Sequence, residues 1–286
     1  GKSALGVSLA KHFKGEIISA DSRQVYKGLD IGTGKITKKE MRGIPHHLLD
    51  IASPKRTVTA QEFTEKARGA IEAMAKRAKL PLVVGGTGFY IDSLLGRIRL
   101  PDVPPNKKLR EALHKKSAAA LYAQLKKLDA KRAQTLSSPS ERNNKVRLVR
   151  AIEIAKAKVS SPVQNPIDAD VLWIGIAPSQ TTLEKKIKNR LSMRIKQGMI
   201  QEAKRLRKNG LSLKRMESLG LEYRSLARFL KGIISKKELE AELFRDIRRY
   251  AKKQRAYWKR NPTIVWCKPT DTAKIQKRVA VWLRKK

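Results

Sequence analysis

The chain has 286 residues, of which 65 are Lys or Arg and 25 are Asp or Glu, so its formal net charge at pH 7 is +40. Hydrophobic residues make up 41% of the chain, which fits a folded globular protein and excludes disordered, collagen-like and low-complexity classes. The charge predicts a polyanionic partner, nucleic acid first and an anionic membrane surface second, with a general basic bias as the alternative.

Cysteine content and hydropathy narrow the class further. The single cysteine, Cys267, allows neither an intramolecular disulfide framework nor a thiolate zinc site, which fits a reducing compartment. No apolar stretch approaches the roughly 20 residues that are needed to span a bilayer. We therefore expect a cytoplasmic protein without a membrane association, and we expect it to be a monomer.

The predicted elements alternate, in chain order, between helices and short buried strands. Helical periodicity covers residues 3–13, 58–79 and 182–208. The strands are apolar runs between turn residues, at 16–20, 80–84, 171–176 and 263–266. Such alternation predicts an α/β fold with a mostly parallel sheet that is flanked by helices.

Residues 101–146 interrupt this alternation. They begin with three prolines, Pro101, Pro104 and Pro105, and continue with a helical Ala/Leu/Lys segment. We interpret this segment as a small helical insertion domain. The core domain then comprises residues 1–100 and 147–286.

Gly1-Lys2-Ser3, directly before an amphipathic helix, has the sequence of the end of a phosphate-binding loop. In such a loop the backbone N–H groups and the lysine bind phosphates, and the hydroxyl ligates Mg²⁺. A plain helix N-terminus is the alternative. We expect residue 1 to be a break inside this loop, which makes the core P-loop NTPase-like.

Two further polar clusters follow predicted strands. Asp21 comes directly after the strand at 16–20, and Gly85-Gly86-Thr87-Gly88 follows the strand at 80–84. Asp21 could act as a general base or as an outer-sphere ligand of Mg²⁺, and the alternative is that it only caps a turn. The glycines permit close approach of the backbone to a ligand, and the alternative is a tight turn without one. Because the carboxyl ends of parallel strands meet at one edge, the three clusters together predict a phosphate-handling site.

His46 and His47 raise the question of a metal site. Adjacent residues of an extended segment point to opposite sides, so the two imidazoles cannot readily share one ion. We expect a hydrogen-bonded structural role or a contact with substrate.

The basic stripe, Arg245–Arg260, contains eight Lys or Arg residues interleaved with Tyr250, Tyr257 and Trp258. Cations beside aromatic faces are typical of an RNA-binding surface. The alternative is a helix whose aromatic rings face the core and whose cations face solvent. A second basic cluster places Arg147 and Arg150 on one helical face.

Seven motifs, in this order, resemble the tRNA dimethylallyltransferase family over nearly the whole chain. They are Gly-Lys-Ser at 1–3, Ser-Ala-Asp-Ser-Arg-Gln-Val-Tyr at 19–26, Asp-Ile-Gly-Thr-Gly-Lys at 30–35, Ile-Pro-His-His-Leu-Leu-Asp-Ile at 44–51, Gly-Gly-Thr-Gly-Phe-Tyr at 85–90, Arg-Leu-Val-Arg-Ala-Ile-Glu at 147–153 and Arg-Tyr-Ala-Lys-Lys-Gln at 249–254. The resemblance implies transfer of a dimethylallyl group from dimethylallyl diphosphate to the N6 amine of adenine 37, beside the anticodon of tRNA. The C-terminal sequence resembles the bacterial form.

The resemblance also implies roles for single residues. Gly1, Lys2 and Ser3 would bind the diphosphate, with Mg²⁺ on the Ser3 hydroxyl. Asp21 matches the general base, and Arg190 matches the arginine that binds the diphosphate, with Arg194 as a second candidate.

The positions that match tRNA contacts lie in both predicted domains. The insertion at 101–146 resembles the part of the family that binds the anticodon stem-loop. The matching residues are Asp21, Ser22, Arg23, Gln24, Thr87, Arg110, Val146, Arg147, Leu148, Val149 and Arg150.

Two other functions remain open at this stage. A P-loop kinase, or an isopentenyltransferase that acts on a free nucleotide, would share Gly-Lys-Ser and Asp21 but would need neither the charge nor the insertion. A noncatalytic RNA-binding protein would explain the charge and leave the match at Asp21 unexplained.

Overall fold

The computed structural model describes residues 1–98, 100–136, 138–157, 167 and 169–285. The chain divides into two compact units. The core unit comprises residues 1–97 and 166–286, and the insertion unit comprises residues 98–165. Within the described ranges, no helix is long and apolar enough to cross a membrane.

The first part of the core unit contains the sheet that carries the predicted site. Its elements are α1 (Lys2–His12), β1 (Gly15–Ala20), α2 (Lys38–Met41), β2 (His46–His47), α3 (Ala60–Ala75), β3 (Leu80–Gly85) and α4 (Gly88–Leu94). The strands are parallel, in the order β2-β1-β3. The predicted strands at 16–20 and 80–84 and the helices at 3–13 and 58–79 are confirmed. The pattern missed β2, because a two-residue strand made of histidines has no β-branched signal.

Helices cover both faces of this sheet. Ile17 faces α1, where it packs with Val7 and Ala10. Its neighbour Ile18 faces the larger core, which contains Phe63 of α3. The alternation of neighbouring side chains between the two faces of β1 explains why a strand that is buried throughout its length has two separate cores.

The pairing of β1 with β3 places the two strand ends at the same level. The register runs from Gly15 opposite Leu80 to Ala20 opposite Gly85. A Cβ on Gly85 would lie 2.1 Å from the carbonyl oxygen of Ala20. Only glycine permits this approach, which brings the loops after β1 and β3 together.

The insertion unit consists of α5 (Lys107–His114), α6 (Ala118–Leu128), α7 (Ala130–Thr135), α8 (Pro139–Arg142) and α9 (Lys145–Ala157). It has its own apolar core, in which Leu148 and Ile152 of α9 pack with Leu121 and Leu125 of α6. The observed division therefore differs from the boundary expected after residue 146, because α9 buries its apolar face within this unit. Residues 158–166, which the prediction assigned to the core domain, lie outside the described residues.

The last part of the chain returns to the core unit and is mainly helical. Its elements are β4 (Ile174–Ile176), α10 (Gln180–Lys196), α11 (Met199–Lys208), α12 (Leu213–Leu219), α13 (Leu221–Leu230), α14 (Lys236–Trp258), β5 (Val265–Cys267) and α15 (Thr272–Leu283). The predicted helix at 182–208 is two helices, because Gly198 has a φ of +97° and caps α11. The predicted strands at 171–176 and 263–266 are shorter and shifted. They form a separate parallel pair, β4-β5, and so in the described chain the parallel strands lie in two sheets rather than one.

Glu16 of β1 is a buried carboxylate that joins three elements. Its oxygens accept hydrogen bonds from Arg77 at 2.5 and 3.0 Å, and His47 Nε2 lies 2.7 Å from Oε2. The Arg77 hydrogen bonds, together with His47 and against the opposing effect of burial, lower the pKa of Glu16 to about 2. His47 therefore has a structural partner.

Replacing Gly85 by alanine should damage the fold, because the new Cβ would overlap the backbone of Ala20. We expect Gly85→Ala to lower the free energy of unfolding by about 3 kcal/mol or more. The matched control is Gly69→Ala in α3, where a Cβ meets nothing within 4 Å, and where alanine should add up to about 1 kcal/mol. Urea unfolding followed by circular dichroism measures both; equal stabilities would contradict the close approach.

The Glu16 cluster predicts a specific pH dependence of stability. Its pKa is about 2 in the folded chain and near 4.5 as its ordinary value, so its stabilising effect is complete above pH 4.5 and is lost as the pH falls towards 2. We expect the difference in unfolding free energy between the native chain and Glu16→Gln to be largest at pH 6 and to shrink steadily down to pH 3. A difference that stays constant over this range would show that ionisation of Glu16 contributes nothing.

Candidate functional site

Asp21 stands at the carboxyl end of β1 with one oxygen fixed and one free. Oδ1 accepts the backbone N–H groups of Arg23 at 2.8 Å and Gln24 at 3.3 Å. Within the described chain, Oδ2 accepts no hydrogen bond. Asp21 therefore does cap a turn, and that role leaves its second oxygen available for chemistry.

The glycine-rich loop after β3 is bonded directly to the loop that carries Asp21. Thr87 Oγ1 accepts the N–H of Ser22 at 3.0 Å, and the N–H of Thr87 donates to the carbonyl of Ala20 at 3.1 Å. Tyr250 of α14 lies beside this loop, since burial raises the pKa of its hydroxyl while Gln254 and Thr87 oppose that shift. The structure thus brings Asp21, Ser22 and Thr87 together.

Lys2 and Ser3 form the first turn of α1, and in the described chain no side chain caps this helix end. The free N–H groups of a first turn attract anions. The pKa of Lys2 is lowered mainly by partial desolvation and also by Arg190, while the nearby Asp21 opposes the shift. Lys2 therefore lies within electrostatic reach of both Asp21 and Arg190.

Arg190 and Arg194 are one turn apart on α10 and have different surroundings. Arg190 is exposed, and its charge contributes to the lowered pKa of Lys2, after the larger effect of desolvation. The Arg194 side chain is only 13% exposed and lies 3.4 Å from Glu222. Arg190 therefore acts electrostatically on the first turn of α1, whereas Arg194 is held by Glu222.

Glu202 is a residue supporting the candidate site that sequence reasoning missed. This buried carboxylate accepts the backbone N–H groups of residues 30, 31 and 32 at 2.7–3.0 Å and the hydroxyl of Tyr223 at 2.6 Å. It fixes the Asp-Ile-Gly-Thr-Gly-Lys loop, whose Gly34 carbonyl accepts Nε2 of Gln24 at 3.4 Å. A glutamate on an apolar helix face, between Met199 and Ala203, is the signal that could have found it.

The aromatic residues of the basic stripe do not face solvent. The Tyr257 hydroxyl donates to Asp92, and Trp258 packs on the core with its ring centroid 5.4 Å from that of Trp173. Burial and the hydrogen bond to Asp92 raise the pKa of Tyr257 to about 12. These rings therefore pack against the core unit rather than forming an open stacking surface, and RNA binding by the stripe stays a prediction. The eight cations of the stripe are exposed, as the alternative predicted.

The predicted RNA-contacting strip on α9 divides into buried and exposed positions. The side chains of Leu148 and Val149 are 0% and 2% exposed and pack in the insertion core, so contact of these two residues with RNA stays a prediction that their side chains do not support. Val146 is 71% exposed. Arg147 pairs with Glu141, and its side chain is 56% exposed.

Arg110 and Arg150 share one carboxylate in the insertion unit. Arg110 Nη2 lies 2.8 Å from Glu153 Oε2, and Arg150 Nη1 lies 2.6 Å from the same oxygen. The side chains of the two arginines are 36% and 34% exposed. Both cations are therefore oriented by Glu153 and still reach solvent.

The fold and the site together define an α/β enzyme whose candidate site lies at the carboxyl edge of a parallel sheet. The sequence model described as IPP transferase matches residues 24–261. The chain therefore belongs to the IPP transferase family, which makes it a prenyl-transferring enzyme, as predicted.

Relatives and solved structures agree with this assignment. The tRNA dimethylallyltransferase of Anoxybacillus flavithermus is 37% identical over 98% of this chain and 90% of its own length. The tRNA dimethylallyltransferase 2 of Treponema denticola is 42% identical over 91% of this chain and 88% of its own length. The crystal structure of the tRNA isopentenylpyrophosphate transferase from Bacillus halodurans is 31% identical, with a TM-score of 0.72 over 100% of this chain and 93% of that one. A eukaryotic dimethylallyltransferase acting on tRNA gives a TM-score of 0.78 at 25% identity, over 96% of this chain and 72% of that one. The predicted family and fold class are confirmed.

Proposed function

We propose that this chain transfers a dimethylallyl group from dimethylallyl diphosphate to the N6 amine of adenine 37 in tRNA and releases diphosphate. The names of its relatives support tRNA as the acceptor. The observation that carries the proposal within the site is the free Oδ2 of Asp21, which lies near the Lys2 end of α1. A base and an anion-binding helix end are the two groups that this reaction requires.

The first requirement is to bind the diphosphate and stabilise it as a leaving group. The uncapped N–H groups of the first turn of α1, together with Lys2 and the nearby charge of Arg190, would bind the diphosphate. Negative charge develops on the diphosphate as its bond to the allylic carbon breaks. Donors that are already oriented towards this charge lower the barrier without reorganising.

Mg²⁺ fits the residues that are present. Mg²⁺ is commonly held by few protein oxygens together with substrate phosphates, and the Ser3 hydroxyl at the start of α1 offers such an oxygen. When bound, the ion would neutralise charge on the diphosphate. Within the described chain no cluster of three His, Cys, Asp or Glu residues forms an all-protein cage, and substrate-assisted binding does not require one.

The second requirement is to remove a proton from a poor nucleophile. The N6 amine is conjugated with the adenine ring, so its lone pair attacks the allylic carbon effectively only as a proton leaves. Oδ2 of Asp21 accepts this proton while the N6–carbon bond forms and the carbon–oxygen bond to diphosphate breaks. The backbone N–H groups of Arg23 and Gln24 hold the carboxylate through Oδ1. The target adenine must leave its stack to reach Asp21.

The rest of the RNA would contact exposed cations. The candidates in the insertion unit are Arg110, Arg147 and Arg150, and those in the core unit belong to the basic stripe. Family membership disfavours the kinase. The noncatalytic alternative leaves the free oxygen of Asp21 without a use. A monomeric state and a cytoplasmic location stay predictions.

Asp21→Asn should lower the turnover for prenyl transfer to tRNA by about 10²–10⁴-fold, since it removes the base. The affinity for tRNA should stay within about twofold, because a single carboxylate, being negatively charged, donates nothing to the phosphates of RNA. Transfer of labelled dimethylallyl groups and filter binding measure the two quantities. The control is Glu65→Gln, which removes an exposed carboxylate from α3. Unchanged turnover in Asp21→Asn would exclude Asp21 as the base.

The acceptor is tested with the native chain, Mg²⁺, dimethylallyl diphosphate and either tRNA or AMP. We expect transfer to tRNA alone. Transfer to AMP and none to tRNA would contradict the proposal in favour of a free-nucleotide enzyme. Binding of tRNA without transfer to either acceptor would favour the noncatalytic protein.

The basic stripe should contribute charge rather than stacking. Lys252 and Lys253 are exposed and have no ion-pair partner among the described residues. We expect reversal of both to glutamate to weaken tRNA binding and to make the slope of log affinity against log salt shallower by about 1 to 2.

The matched control reverses Lys236 and Lys237, at the other end of the same helix. The two pairs are offset by 16 positions along the helix, which is about 24 Å and beyond the Debye length of roughly 8–10 Å. The control changes net charge equally, so a similar loss from both pairs would show that the stripe makes no local contact with RNA.

A further inference from the structure

Glu153 of α9 is the most completely bonded carboxylate of the insertion unit. Oε1 accepts the backbone N–H of Asn106 at 2.6 Å and Nε of Arg110 at 3.0 Å. Oε2 accepts Nη2 of Arg110 at 2.8 Å and Nη1 of Arg150 at 2.6 Å. Arg110 therefore binds in the two-pronged geometry that fixes a guanidinium group most firmly.

Burying the charge of Glu153 costs desolvation free energy, so stability alone does not explain this arrangement. The Glu153 side chain is 1% exposed, and a buried ion pair is often no more stabilising than apolar residues of similar volume. Burial alone would raise the pKa of Glu153, but the hydrogen bonds from Arg110, Asn106 and Arg150 outweigh it and lower the pKa to about 2. The carboxylate is therefore charged at neutral pH.

The two arginines keep unused donors. A guanidinium group has five N–H donors; Arg110 uses Nε and Nη2 on Glu153, and Arg150 uses Nη1. Their remaining donors have no acceptor within the described chain, and about a third of each side chain is exposed. Two cations are thus held in fixed orientations with free N–H groups that reach solvent.

We propose that Glu153 is a positioning residue for RNA binding, which holds Arg110 and Arg150 as a preformed pair that donates to backbone phosphates. This inference rests on the proposed function, in which tRNA is the acceptor. A long arginine side chain loses rotational freedom when it binds a phosphate. If a carboxylate has already fixed it during folding, that loss no longer weakens binding.

The other ion pairs among the described residues of the unit lack these features. Asp129 and Arg132 are 31% and 33% exposed. Glu141 and Arg147 are 30% and 56% exposed, and Glu141 also forms the capping box of α8. An exposed pair of this kind exchanges with solvent and orients its arginine weakly. Glu153 is therefore the carboxylate whose removal should matter for RNA.

The sign of one substitution separates positioning from simple electrostatics. Glu153→Gln removes a negative charge beside an RNA-binding surface, so charge alone predicts tighter binding of tRNA. Loss of positioning predicts weaker binding. We expect the dissociation constant of the Glu153→Gln chain for tRNA to rise about five- to tenfold, with an unchanged turnover at saturating tRNA.

Glu111→Gln is the matched control. Glu111 is exposed on α5 beside Arg110, and this substitution removes the same negative charge as Glu153→Gln. We expect its affinity for tRNA to be unchanged or slightly higher. Thermal unfolding of each full chain checks that the insertion unit remains folded. If Glu153→Gln loses its thermal transition, Glu153→Met replaces it, because the methionine side chain brings no unpaired polar group into the buried position.

A double-mutant cycle excludes a merely structural role. In a chain that carries Arg110→Ala and Arg150→Ala, Glu153→Gln should cause no further loss of tRNA affinity, since there is no arginine left to position. An additive loss would overturn the inference, and so would native or tighter binding by folded Glu153→Gln or Glu153→Met. If the native chain neither binds nor modifies tRNA, the proposed function itself fails.

Discussion

The candidate site depends on the close approach of two backbones where β1 and β3 end. Gly85 lies opposite Ala20, and no side chain fits between them. The hydrogen bonds from Thr87 to Ala20 and from Ser22 to Thr87 then follow from this approach. Asp21 keeps one oxygen free because the loop that carries it is held from both sides. The position of Asp21 therefore depends on the contact between Gly85 and Ala20, which a single added methyl group would disturb.

Buried glutamates provide a second constraint, and they show how the chain uses its few acidic residues. The chain has only 25 acidic residues, yet several of its glutamates lie inside. Glu16 joins β1 to β2 and to the turn after α3, Glu202 holds the loop at 30–32, and Glu153 holds two arginines. Each satisfies its oxygens with internal donors, as a buried carboxylate must. These buried acids are thus used for scaffolding, while the cations of the basic stripe remain outside, where an anion can reach them.

Local patterns predicted the parts of the fold that local sequence determines. The strands at 16–20 and 80–84 and the convergence of Asp21 with Thr87 follow from β-branched runs that end in polar residues. The division of strands into two sheets could not be predicted, because it depends on pairing between residues about 90 apart in the chain. The orientation of Tyr257 and the burial of Leu148 could not be predicted for a related reason. A helix pattern defines a face, and only tertiary packing decides which face is covered.

The exposed cations fall into two physical kinds, and this division explains how one surplus of charge can serve both attraction and recognition. Lys252 and Lys253 have flexible side chains without an ion-pair partner among the described residues, so they raise the local potential and attract any polyanion in a salt-dependent way. Arg110 and Arg150 have a fixed carboxylate partner. Their free donors point in defined directions, so they favour phosphates with one particular spacing. Long-range attraction of RNA therefore needs only an excess of positive charge. Recognition of one RNA shape also needs buried carboxylates, such as that of Glu153, that hold arginines in fixed orientations.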